Sequence, residues 1–91
     1  MMTELSSAQL ILRARMTTVV NRYSGWDVRP RDVEVVEDPS VEGVFAIQVT
    51  RRDGKHQFLY HSDLGIDGVE EVEFASWPPN VRASFERRRP R

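Results

Sequence analysis

The rhythm of apolar positions along this chain changes from helical to alternating near residue 30. Before that point Ala8, Leu12, Met16, Val19 and Tyr23 recur at intervals of four and three, with Leu5 leading in and Ile11 and Val20 widening the stripe. This spacing puts the apolar side chains on one face of a helix of about five turns. Ser6 followed three residues later by Gln9 reads as a capping box, and Leu5 and Leu10 can close a hydrophobic staple across it. Gly25, directly after Ser24, is a natural stop. The pattern predicts a helix over residues 7–24, followed by an irregular segment around Pro30.

Alternation takes over in "DVEVVED", where Val33 and Val35 lie to one side and Glu34 to the other, predicting a short strand before Pro39. Two β-rich runs then flank Asp53-Gly54, the dipeptide favoured in a two-residue type I′ turn, and predict a hairpin. That turn would set Arg52 opposite Lys55, Arg51 opposite His56, Val49 opposite Phe58 and Ile47 opposite Tyr60. One face then carries Phe45, Ile47, Val49, Phe58 and Tyr60, the core face under the long helix; the other carries Gln48, Thr50, Arg52, Lys55, Gln57 and His61.

The last third is less regular. "SDLGIDG" has turn chemistry, and "VEEVEFASW" predicts a fourth strand, with Val72 and Phe74 alternating against Glu71 and Glu73, although the same residues nearly fit a helical turn. Pro78-Pro79 ends that element. Asn80 is suited to cap a short helix with Val81 and Phe85 on one face, arginines near its end and Pro90 as its stop. The predicted fold is α+β: a long N-terminal helix packed on one face of a three- to four-stranded antiparallel sheet, then a short C-terminal helix. A chain of 91 residues makes one domain, residues 1–91, of which about 82–91 reads as a basic, partly flexible tail.

Composition narrows the function classes. Hydrophobic residues at 40% and charged residues at 30% are ordinary for a globular domain, and no apolar run reaches the ~18 residues of a membrane span. Arg13 and Arg15 interrupt the N-terminal apolar stretch, so no secretory signal is read there and a cytoplasmic location is expected. Without cysteine there is no disulfide, thiolate ligand or thiol nucleophile. The net charge of −1 conceals blocks: five acidic residues and no basic one from Asp63 to Glu73, then five arginines against Glu86 from Arg82 to Arg91.

Candidate chemistry is sparse. His56 and His61 are an odd number of residues apart on one predicted strand, so they point to opposite faces and cannot share an ion, and Asp63 reads as a turn or cap residue. The acidic stretch Asp63, Asp67, Glu70, Glu71 and Glu73 lacks calcium-loop spacing. Glu71 and Glu73 would share a strand face, but no second catalytic group accompanies them. No cofactor, metal or catalytic residue is predicted, and the expectation is a protein that is not an enzyme.

Two binding readings follow. Beneath one helix, the second sheet face would still show Val36, Val44, Ala46 and Leu59, a strip that needs a cover: the C-terminal segment, a second copy, or another protein. The first reading is therefore an accessory or regulatory domain that binds another protein or a second copy of itself through Leu59, Trp77, Val44, Ala46 and Phe85. Trp26 and Trp77 fit peripheral core first and interface anchors second, Trp77 being the better anchor. The second reading is nucleic-acid binding by Arg52 and Lys55 at the hairpin tip with Arg82, Arg87, Arg88, Arg89 and Arg91. No membrane partner is expected.

Overall fold

In a computed structural model, residues 7–88 are described, apart from the side chains of Ile66 and Arg88. Helix α1 (Ser7–Ser24) is followed by strands β1 (Val33–Glu37), β2 (Val44–Arg51), β3 (Gly54–His61) and β4 (Val69–Glu71), and then by helix α2 (Pro79–Arg88). The strands form one antiparallel sheet in the order β1-β2-β3-β4. With α1 on one face and α2 on the other, the architecture is α+β in three layers, because each sheet face carries apolar residues that need a cover.

The first core lies under α1, where Met16 and Val20 meet Val33, Ile47, Val49, Phe58, Tyr60 and Val69. Met16, Thr17 and Val20 are the buried residues of α1, while Leu12 and Val19 are partly buried and Ile11 and Tyr23 are exposed. The buried stripe is thus rotated from the expected one. Thr17 can go inside because its hydroxyl donates to the Arg13 carbonyl at 2.7 Å, leaving no polar group unmet. The expected Ser6 cap and Leu5 staple lie outside the described residues. At the other end Gly25, at φ 77°, lets its N–H reach the Asn21 carbonyl at 2.8 Å and closes the helix.

The second core is on the opposite face, where Val36, Val44, Ala46 and Leu59 meet Trp77, Val81 and Phe85. The segment 69–77 divides between the two expected alternatives. Strand β4 ends at Glu71, and a single 3-10 turn over Phe74–Ser76 swings the chain across the sheet, bringing Phe74 within 5.1 Å of Trp77 between ring centroids. Glu71 and Glu73 therefore do not share a strand face. Helix α2 starts at Pro79, one residue ahead of the expected Asn80 cap, with proline in the first turn where its missing N–H costs nothing. Asn80 instead donates to the Ser40 hydroxyl at 2.9 Å, tying α2 to the β1–β2 loop. Residues 82–88 of the expected tail are helical, and Phe85 packs them down; 89–91 lie outside the described residues.

The hairpin register is offset by two from the expectation. Arg51 pairs with Gly54, Val49 with His56, Ile47 with Phe58 and Phe45 with Tyr60. A type I′ turn at Asp53-Gly54 would need positive φ at both central residues. Of the two only Gly54, at 128°, has it, and among the described residues no non-glycine residue does, so the turn steps back to Arg52-Asp53. An even offset returns every side chain to its expected face, which is why the core face was assigned correctly from a wrong register.

Candidate functional site

All five residues expected to form a protein interface lie in the chain's own second core. Leu59, Trp77, Val44, Ala46 and Phe85 are buried, Trp77 at 1% exposure. The outer strip exists as the alternation indicated, but α2 and the preceding turn cover it. Trp77 is core and offers no external anchor.

The basic residues are redistributed in a way the linear sequence does not show. Helix α1 runs toward the hairpin end of the sheet, where Trp26 packs on His56 and Phe58. Strand β1 begins at Val33 opposite Val49, so the turn Pro30–Asp32 just before it lies at that end too. Arg22 in the last turn of α1, Arg29 and Arg31 around Pro30, and Arg51, Arg52 and Lys55 at the hairpin are therefore gathered at one end, all exposed. Among the described residues none of the six is ion-paired with a carboxylate, since both ion pairs belong to His56.

Three aspartates share this end, and two are engaged locally. Asp32 accepts from the Arg29 N–H at 3.4 Å, and Asp53 lies 2.8 Å from His56 Nε2. The hydrogen bond from His56 is the main cause holding the Asp53 carboxyl below its ordinary value of 3.8. Asp27 is the third, and it is exposed.

The scaffold beneath these charges is ordered by polar clamps. Asn21 donates from Nδ2 to the Val28 carbonyl at 3.0 Å and accepts from the Val28 N–H at 2.9 Å, fixing the α1–β1 connection. That connection presents Trp26, over whose ring the Arg51 guanidinium lies 4.0 Å from the centroid. Trp26 is half-buried, with Arg51 over one face and the His56 and Phe58 rings packed at steep angles to it, so it anchors the arginine and makes a poor platform for a stacked base.

Of the expected basic set, Arg52 and Lys55 belong to this end. Arg82 and Arg87 do not, because α2 starts beside Ser40 at the opposite end of the sheet. Arg82 is half-buried, and Arg87 donates to the Ser84 hydroxyl at 3.2 Å. Arg88 is helical with its side chain undescribed, and Arg89 and Arg91 lie outside the described residues. Sequence reasoning missed Arg22, Arg29, Arg31 and Arg51; the available signal was that a helix end, a Pro30-centred turn and a hairpin tip must coincide once α1 lies along the sheet.

The other end of the sheet is the electrical opposite. Glu37, Asp38 and Glu42 in and beside the β1–β2 loop join Asp63 and Asp67 of the 3-10 segment Ser62–Gly68, and neither stretch contains lysine or arginine. The two loops are tied by the Ser62 N–H donating to the Gly43 carbonyl at 2.8 Å. Val41 and Leu64 are exposed there, Leu64 at 63%.

His56 and His61 lie on opposite sheet faces, opposite Val49 and Val44 respectively, and among the described residues no three metal-ligating side chains cluster. No described helix is long and apolar enough to cross a membrane. No protein-family model, curated protein or solved structure matches the chain.

Proposed function

We propose that this protein works by binding rather than catalysis, and that its hairpin end holds the phosphate backbone of nucleic acid without reading bases. The observation that carries the reading is the gathering of Arg22, Arg29, Arg31, Arg51, Arg52 and Lys55 at one end, exposed and not ion-paired among the described residues. Exposed guanidinium groups are suited to bidentate contact with phosphate oxygens, and a local excess of positive charge attracts a polyanion even when the whole molecule is close to neutral. The packing of Arg51, His56 and Phe58 around the half-buried Trp26 favours backbone contact over base stacking.

Fluorescence anisotropy with labelled duplex and single-stranded oligonucleotides, repeated over a range of salt, tests this. The expected result is micromolar binding that weakens steeply with salt, with a log–log slope of about −3 for three to four neutralised phosphates. Absence of binding at low salt, or binding indifferent to salt, rejects it.

A second reading keeps the protein partner but moves its surface. The exposed Val41 and Leu64, set among Glu42, Asp63 and Asp67 on two tied loops, would suit a partner with an apolar centre and a basic rim. Val41→Ser with Leu64→Ser should abolish such an interaction and leave nucleic-acid binding untouched.

A further inference from the structure

His56 touches three parts of the hairpin end. Its Nε2 lies 2.8 Å from Asp53 in the turn, and its Nδ1 lies 4.0 Å from Glu71 on β4. Its ring packs edge-on against Trp26 in the α1–β1 connection, at 4.9 Å between centroids. From β2 it faces Val49, its strand partner, and Arg51, whose guanidinium lies across Trp26. His56 is half-buried, at 23% exposure of its side chain, while the Asp53 and Glu71 carboxylates beside its two nitrogens are exposed.

The proton count matters because a neutral imidazole carries one N–H. If that proton is on Nε2 it serves Asp53, and Nδ1 then turns a lone pair toward the Glu71 carboxylate. The imidazolium carries both protons and attracts both carboxylates. Strand β4 is short, with three paired residues at the sheet edge and Val69 in the first core, and Glu71 is diagonal to His56 on the same face.

We propose that His56 is a pH-sensitive latch for β4: the imidazolium ties the edge strand to the hairpin turn through Glu71 and Asp53, and the neutral ring loosens it. Histidine changes charge within about pH 5 to 8, so the latch closes toward the acid side of that window and opens toward the alkaline side. Closing it also adds positive charge to the hairpin end, although the latch itself does not depend on any ligand.

Hydrogen exchange of the Val72 amide, which donates to the Gln57 carbonyl at 3.0 Å at the end of β4, reads the latch directly. Corrected for intrinsic exchange, its protection should be about two- to fivefold greater near pH 5 than near pH 8, the size expected of a partly exposed ion pair. Amides of the β2–β3 ladder should show no such change. His56→Gln and Glu71→Gln should each remove the pH dependence while the ladder stays protected. Equal protection at both pH values in the unaltered protein, or the same pH dependence in the Glu71→Gln variant, would overturn the proposal.

Discussion

The two halves of the sheet are built from the same four strands and have opposite characters. In the loop half both faces are apolar and covered, with Val44, Ala46 and Leu59 beneath Trp77, Val81 and Phe85, and the rim is acidic. In the hairpin half only the α1 face is apolar; the other carries Thr50 and Lys55, both exposed, and the rim is basic. The boundary runs through Gln48, buried at 3% exposure, whose Oε1 accepts from Gln57 Nε2 at 3.0 Å. A ten-residue helix can cover only about 15 Å, so α2 is committed to the half where burial pays most. The contrast teaches that this chain separates stability from charge along the strand direction.

The largest effect should come from breaking the covered half. Trp77→Ala removes a ring enclosed by Phe74 and Phe85, at 5.1 and 5.4 Å between centroids, and should cost about 3–5 kcal/mol in chemical denaturation. That is a large part of the stability of a domain this size. An effect below about 1 kcal/mol would mean that α2 is not an integral layer.

The boundary itself should respond less. Gln48 Nε2 is buried with no hydrogen-bond partner among the described residues. Gln48→Met keeps the volume and removes the unmet donor, so the denaturation midpoint should stay the same or rise, by up to about 1 kcal/mol of stability. A loss of 2 kcal/mol would show that the Gln48–Gln57 bond outweighs the orphaned donor.

The smallest effect belongs to the hairpin rim and appears only as a dependence on pH. The folded Asp53 carboxyl is held below its ordinary value, chiefly by the hydrogen bond from His56. Its contribution to stability is therefore present above about pH 4 and disappears as pH falls through the lowered folded value. Asp53→Asn should lower thermal stability slightly at neutral pH, the difference from the unaltered protein vanishing in strong acid. A difference that grows toward acid would reverse the sign of this linkage.

Much of this contrast was legible in the sequence. The span of α1, the order of the elements along the chain and the composition of both faces followed from periodicity, because a side-chain period of two survives the even register offset that the Asp53-Gly54 turn introduced. The outer strip of Val36, Val44, Ala46 and Leu59 was equally legible. Its cover was legible only as one of three alternatives, with the C-terminal segment through Trp77, Val81 and Phe85 the economical one, since alternation shows that a face is apolar but not which segment reaches it; Trp77 is placed by the turn at Phe74–Ser76, which has no periodic signature. The charged end was hidden for a related reason: Arg22, Arg29, Arg31 and Arg51 are scattered over 30 positions and become neighbours only when α1 lies along the sheet. The Asp53–His56 contact depends on the true turn position, which the expected register misplaced.

Reversing charge at one end and then at the other tests the functional account most directly. Arg29→Glu, Arg52→Glu and Lys55→Glu together alter exposed positions of the hairpin end; Glu42→Lys with Asp63→Lys makes the opposite change at the loop end. Measured by anisotropy with a labelled duplex at one fixed salt concentration, the first variant should bind at least about tenfold more weakly, with a shallower salt slope, while the second binds as well or slightly better. Equal losses in both variants, or unchanged affinity in the first, would contradict the assignment of the hairpin end as the phosphate-binding surface.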